Sequence, residues 1–156
     1  MVNHMKILVL SDSHGRLDLM LDAMERERPQ RAFFLGDHYQ DGMTLADAYP
    51  DVPVDAVRGN CDWCAGPDDL LVEVEGVRFM LTHGHHYHAK SGPDWLVDAA
   101  KHRGASMVCY GHTHEALYMP MGGVWLFNPG TAGGVRCRPG YGVLVVRGGT
   151  VEGYLK

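Results

Sequence analysis

Short apolar runs that stop at polar residues beside a glycine set the rhythm of this chain. Lys6-Ile-Leu-Val-Leu10 is the first, and an apolar run without alternation predicts a strand covered on both faces. It leads into Ser11-Asp12-Ser13-His14-Gly15. Leu17, Met20, Leu21 and Met24 then recur at the i, i+3, i+4, i+7 spacing of an amphipathic helix, which Pro29 closes. Ala32–Leu35 predicts a second strand ending in Gly36-Asp37, a short helix is expected over Met43–Tyr49, and Val54–Val57 predicts a third strand running into Arg58-Gly59-Asn60-Cys61-Asp62. The five residues Met1–Met5 are expected to stand ahead of the first strand without adding to it, as a disordered leader or a mis-assigned start.

Beyond Pro67 the pattern changes to partial alternation. Leu70–Glu75 and Val77–Leu81 flank Gly76 as a hairpin, and the second of them ends in Thr82-His83-Gly84-His85-His86-Tyr87-His88. Pro93 fits a first helical position, and a helix is expected over Asp94–Arg103, closed by Gly104. Met107–Tyr110 predicts a buried strand ending in Gly111-His112-Thr113-His114. Val124–Phe127 leads to Asn128-Pro129-Gly130-Thr131, and Tyr141–Val146 with Val151–Leu155 predicts a closing hairpin. Strands alternating with helices indicate an α/β class, in which ligands bind at the carboxyl ends of strands. Those ends read Asp12-x-His14, Gly36-Asp37, Gly59-Asn60-x-Asp62, His83-x-His85 and Gly111-His112-x-His114.

Composition narrows the function classes. At 156 residues the chain is read as a single domain spanning 1–156, large enough for a full core. A net charge of −5 and the lack of any Lys/Arg run argue against a general nucleic-acid binder, so a phosphate would need another means of capture. No apolar stretch approaches the roughly 20 residues that span a bilayer, and Met1–Lys6 lacks a signal-peptide pattern; a cytoplasmic location without membrane association is expected. Cys61, Cys64, Cys109 and Cys137 are expected as reduced thiols. Cys61-Asp-Trp-Cys64 is a C-x-x-C pair, but no second pair completes a zinc knuckle and no thioredoxin-like context surrounds it. The sequence leaves a homo-oligomer open.

With its five strand-end motifs in this order, the chain resembles the calcineurin-like metallophosphoesterases, and among them the small bacterial and archaeal phosphodiesterases of the YfcE/MJ0936 type. The likeness runs from Met5 to the final hairpin. It implies a four-layer αββα sandwich of two mixed β-sheets flanked by helices, with a dinuclear metal site at the strand ends. Asp12, His14, Asp37 and His114 would hold one divalent cation and Asp37, Asn60, His83 and His112 the other, with Asp37 bridging. Carboxylate and imidazole donors suit Mn²⁺, the first expectation, and also Ni²⁺, Fe or Zn²⁺; a shared carboxylate suits the about 3.5–4 Å spacing of two-metal hydrolases. The implied reaction is hydrolysis of a small phosphate ester, with a diester as the expected substrate, by in-line attack of a metal-bridging water or hydroxide.

The catalytic set implied beside the metals is Asn60, Cys61, Asp62 and His85, with Arg58 as a lesser candidate. Many family members carry a histidine where this chain has Cys61, placed to protonate the leaving group and oriented by the following acid; the small phosphodiesterase branch also uses Gly-Asn-Cys-Asp. A thiol of reference pKa about 8.5 is a poorer donor near neutrality than imidazole, which favours acidic leaving groups. His38, His86 and His88 read as exposed loop residues, and Asn128 and Gly130 as support for the site. Substrate-selecting walls are expected at His38–Gly42, Trp63–Asp68 and His86–Pro93. The alternative function class is a non-catalytic scaffold like Vps29, the eukaryotic retromer subunit that shares this fold.

Overall fold

A computed structural model describes residues 4–134 and 136–156. Ten strands form two mixed five-stranded sheets. In the first, β1 (His4–Leu10), β2 (Arg31–Phe34) and β3 (Val54–Ala56) run parallel, and the hairpin β9 (Gly142–Arg147) and β10 (Thr150–Leu155) joins antiparallel to β1, giving the order β10-β9-β1-β2-β3. In the second, β5 (Val77–Thr82), β6 (Met107–Cys109) and β8 (Val124–Asn128) run parallel between the antiparallel edges β4 (Asp69–Val74) and β7 (Leu117–Met121). The helices are α1 (Leu17–Glu27), α2 (Tyr39–Ala48) and α3 (Asp94–His102), with 3₁₀ turns at His85–Tyr87 and Ala89–Ser91. None is long and apolar enough to cross a membrane.

Strand alternation explains the near-continuous apolar runs, because both faces of each central strand are covered. Ile7, Val9, Phe33, Leu35, Phe79, Leu81 and Phe127 pack between the sheets. Leu8, Leu10, Ala32 and Phe34 face the other way, against Met20, Ala23 and Met24 of α1 and Leu45 of α2. Met80, Val108 and Leu126 likewise meet Leu96, Val97 and Ala100 of α3. The result is the expected α-β-β-α layering.

Several boundaries differ from expectation for local reasons. Of the proposed leader, Met1–Asn3 lie outside the described residues, but His4 and Met5 belong to β1, paired with Arg147 and Val146. Helix α2 starts at Tyr39 rather than Met43, because the Asp62 carboxylate accepts the His38 and Tyr39 N–H groups at 2.9 and 2.8 Å. That cap comes from a residue remote in sequence, so no local signal announces it. Pro93 precedes α3 rather than opening it. Strand β7 was not expected at all: Pro120 lies within it, which an edge strand tolerates because a missing N–H there breaks no interior ladder.

The sheets interlock at Phe127. A Cβ on Gly142 of β9 would stand 2.4 Å from the Phe127 ring, and one on Gly153 of β10 would stand 3.0 Å from it. Phe127 therefore fills space that side chains on the opposite sheet would otherwise occupy. Phe127→Ala is expected to lower unfolding free energy by about 3–5 kcal/mol, read from urea denaturation; a change below about 1 kcal/mol would show that the sheets close over the void.

Candidate metal centre

All six strands that run parallel within their sheets deliver their carboxyl ends to one edge of the sandwich, and backbone bonds stitch the tips together. Asp12 N–H donates to Gly36 O at 2.9 Å, Gly111 N–H to His83 O at 3.1 Å, and Ala132 N–H to Ser11 O at 2.7 Å. Close approach needs glycine at two of these tips. A Cβ on Gly59 would lie 2.1 Å from Asp37 Oδ1, and one on Gly111 would lie 2.0 Å from Ser11 Oγ and 2.5 Å from Asp12 Oδ2.

Asp12, His14, Asp37, His112 and His114 all take left-handed backbone angles, with φ between 46 and 68°. Each such non-glycine residue costs on the order of 1 kcal/mol or more, and clustering of that strain marks functional tips. The extended alternation expected for Asp12 and His14 is thus replaced by a tight turn, which still brings His14 Nε2 within 3.9 Å of Asp12 Oδ1 and 3.7 Å of Asp37 Oδ2.

Asp12, His14, Asp37 and His114 form one cluster whose ligand-type atoms all lie within 4.8 Å of one another. His83 joins it from the second sheet. Its Nδ1 lies 2.7 Å from Leu35 O, which selects the tautomer with the proton on Nδ1 and leaves Nε2 as a free acceptor, 3.5 Å from Asp37 Oδ2 and 3.8 Å from Asp12 Oδ1. That Nε2 is buried with no hydrogen-bond partner among the described residues. A buried, oriented imidazole nitrogen without a partner, beside two carboxylates, is what a cation would satisfy. The donor set therefore fits divalent metal. His112 stands with its ring centroid 5.0 Å from that of His83, and Asn60 and Cys61 share with Asp37, His112 and His114 the walls of a cavity of about 490 Å³.

The titration behaviour agrees with this arrangement. Burial by itself would raise the Asp37 carboxyl, but His83 and the Cys61 N–H outweigh it and hold the group well below the usual carboxylate range. Burial opposes a charge on His83, yet Asp37 and Asp12 raise its pKa; at His114 the bond to Asp12 Oδ1 raises it, against burial. Carboxylates that favour a proton on these rings equally favour a metal cation between them. His112 is pushed down to about 4, by burial first and then by His83 and Lys90, so its ring is uncharged near neutral pH.

The remaining sequence candidates divide. Asp62 Oδ1 accepts the His38 and Tyr39 N–H groups, and Oδ2 accepts those of Asp37 and Gly59 at 3.0 and 2.8 Å, so its carboxylate joins the second and third strand ends. Cys61 is exposed at the cavity; burial of its thiol, followed by nearby Asp37, raises its pKa. His85 is not among the cavity-lining residues; its ring lies 5.4 Å from His83 and 4.0 Å from His86. Arg58 is committed elsewhere, to Asp68 and the Cys64 carbonyl. His38, His86 and His88 are exposed, as expected. Asn128 is fully buried, donating to Gly111 O and Thr113 Oγ1 and accepting the Gly130 N–H, which is the expected support for the His112–His114 turn. Sequence reading missed Asp41, whose Oδ2 accepts Ser13 Oγ–H and Gly15 N–H and so holds the His14 turn from α2. Its only sequence signal is a lone acid in the first turn of a helix.

The family model of the calcineurin-like phosphoesterase superfamily domain matches residues 5–149. The chain belongs to this superfamily. A probable metallophosphoesterase of Mycoplasma pneumoniae is 33% identical, covering 81% of this chain and 78% of that protein. The phosphodiesterase YfcE of Escherichia coli K12 is 29% identical, over 81% of this chain and 79% of its own. Among solved structures, Vacuolar Protein Sorting 29 of Cryptosporidium parvum superposes with a TM-score of 0.79 at 15% identity, covering 98% of this chain and 97% of that one. An archaeal phosphodiesterase gives 0.75 at 24% identity, over 97% and 100%. The two-sheet calcineurin-like fold, Vps29 included, is therefore the fold of this chain.

Because Asp62 serves four N–H donors, Asp62→Asn turns an amide NH₂ towards two of them. The variant is expected to lose about 2–4 kcal/mol of stability in the presence of chelator. An unchanged denaturation midpoint with reduced hydrolysis would instead assign Asp62 to chemistry alone.

Proposed function

We propose that this superfamily member is a divalent-metal-dependent phosphodiesterase acting on small phosphate esters. The observation that carries the reading is the convergence of Asp12, His14, Asp37 and His114 beside a His83 Nε2 that has no hydrogen-bond partner among the described residues, with His14, Asp37 and His114 lining one cavity. In this reading Asp12, His14, Asp37 and His114 hold one cation, Asp37, Asn60, His83 and His112 hold a second, and Asp37 is shared. Mn²⁺ is the proposed metal, with Ni²⁺, Fe or Zn²⁺ suited to the same donors. Bound there, the cations supply Lewis acidity and a water nucleophile of lowered pKa.

The chain's own residues do the rest. Asp12 and Asp37 fix the positions of the positive charge that would draw a phosphate into an acidic protein. Asn60 offers an amide oxygen without a further negative charge, which keeps the site electrophilic. Water attacks phosphorus in line with the ester bond, a new P–O bond forms as the old one breaks, and the departing alkoxide takes a proton. Cys61 lines the cavity, and in this reading it influences that last transfer. Asp62 orients the loop that carries Asn60 and Cys61, and His85 backs His83 and His112.

Metal analysis with a bis-p-nitrophenyl phosphate assay tests the proposal: two metals per chain and chelator-sensitive hydrolysis are expected, whereas metal-free, inactive protein after Mn²⁺ addition would favour a Vps29-like scaffold. His112→Ala and His114→Ala should each lower metal content by about one ion and activity by at least about a hundredfold, and Asp37→Ala should affect both ions. Two retained metals with full activity in His112→Ala would reject the assignment. Cys61→His should raise turnover of alkyl esters by about tenfold or more while leaving p-nitrophenyl esters nearly unchanged, because only the poor leaving group needs a donor. Equal effects on both would remove Cys61 from leaving-group chemistry.

A further inference from the structure

The cavity in front of the ligand cluster is larger than one phosphoryl group requires, and its outer wall is charged. Lys90 and Arg136 line it together with Glu115. Lys90 lies in the 3₁₀ turn Ala89–Ser91, which is pinned by the Ala89 N–H to Gly84 O bond at 3.2 Å and by the buried Ala89 methyl. Arg136 comes from the segment between β8 and β9 and sits in the left-handed region at φ 61°. Several cations elsewhere are neutralised locally: Lys6 by Glu27, Arg31 by Asp55, Arg58 by Asp68 and Arg103 by Asp69. Neither Lys90 nor Arg136 has an ion-pair partner among the described residues.

At this outer wall two cations without an ion-pair partner among the described residues stand against the single carboxylate of Glu115, a local excess of positive charge in a chain of net charge −5. Resting on the phosphodiesterase reading, we propose that Lys90 and Arg136 form an anion subsite for a second phosphoryl group, so that the preferred substrates are phosphodiesters bearing a further phosphate. The guanidinium fork suits phosphoryl oxygens and the ammonium adds a point charge. Glu115 opposes them and sets how strongly the subsite pulls. Esters without the second phosphate reach the same centre but lack this anchor.

The probe is a matched pair, thymidine 3′,5′-bisphosphate and thymidine 5′-monophosphate, titrated calorimetrically into the full chain with saturating Mn²⁺ at low salt. The bisphosphate is expected to bind about tenfold more tightly, with that ratio falling to about one or two in the Lys90→Gln/Arg136→Gln double variant. Lys90→Arg should retain it and Glu115→Gln should raise it. All three positions are exposed, and thermal denaturation checks that each variant is folded. Equal affinities in the unaltered chain, or a ratio untouched by the double variant, would overturn the subsite. Hydrolysis of thymidine 5′-(p-nitrophenyl phosphate) is followed separately: its absence would count against the phosphodiesterase reading, while the binding ratio still decides the subsite.

Discussion

The Asp12 carboxylate is the joint on which this structure turns. It is fully buried at the end of β1, and a buried carboxylate is tolerated only with its oxygens occupied. Oδ2 accepts Ser11 Oγ–H at 2.6 Å and the His112 N–H at 3.1 Å, and Oδ1 lies 3.1 Å from His114 Nε2. Its own carbonyl accepts Thr131 Oγ–H and the Gly133 N–H. One residue of the first sheet thus ties down two loops that leave the second. The cross-sheet bond between His83 Nδ1 and Leu35 O closes the same seam from the other side.

That seam explains why folding and the site are one problem here. Apolar packing between the sheets brings the strand ends to a common edge, but packing is not directional enough to aim imidazoles. The aim comes from left-handed turns at Asp12, His14, Asp37, His112 and His114, held by hydrogen bonds that Asp62 and Asp41 accept and Asn128 donates. Glycines 59 and 111 remove the side chains that would keep the tips apart. Strain at the tips is balanced by burial in three cores, and the outcome is a cluster of acceptors of which His14, Asp37, His112 and His114 line one cavity.

Much of this was readable along the chain. The apolar runs at Lys6–Leu10, Ala32–Leu35 and Val77–Leu81 identify strands with two covered faces, and the residues after them are the ones that converge. Local signals failed where the deciding partner is far away in sequence. The start of α2 depends on Asp62, the edge strand β7 depends on pairing with β8, and Asp41 becomes a support for His14 only once α2 lies beside the first turn. Asp12 and His14 converge, but through a turn rather than through strand alternation.

By itself the sequence determined the elements, the order of the polar tips and the donor types available at each, because these follow from periodicity, glycine placement and side-chain chemistry within short windows. Only the tertiary structure decided which donors share a centre: Asp12 with His114, Asp37 with His83, and the His83 tautomer set by Leu35 O. It likewise decided that Arg58 is spent on Asp68 while Lys90 and Arg136 stand at the cavity. The physical reason is range. Hydrophobic patterning acts between neighbours on one element, whereas the satisfaction of a buried charge depends on groups that meet only when two sheets close on each other.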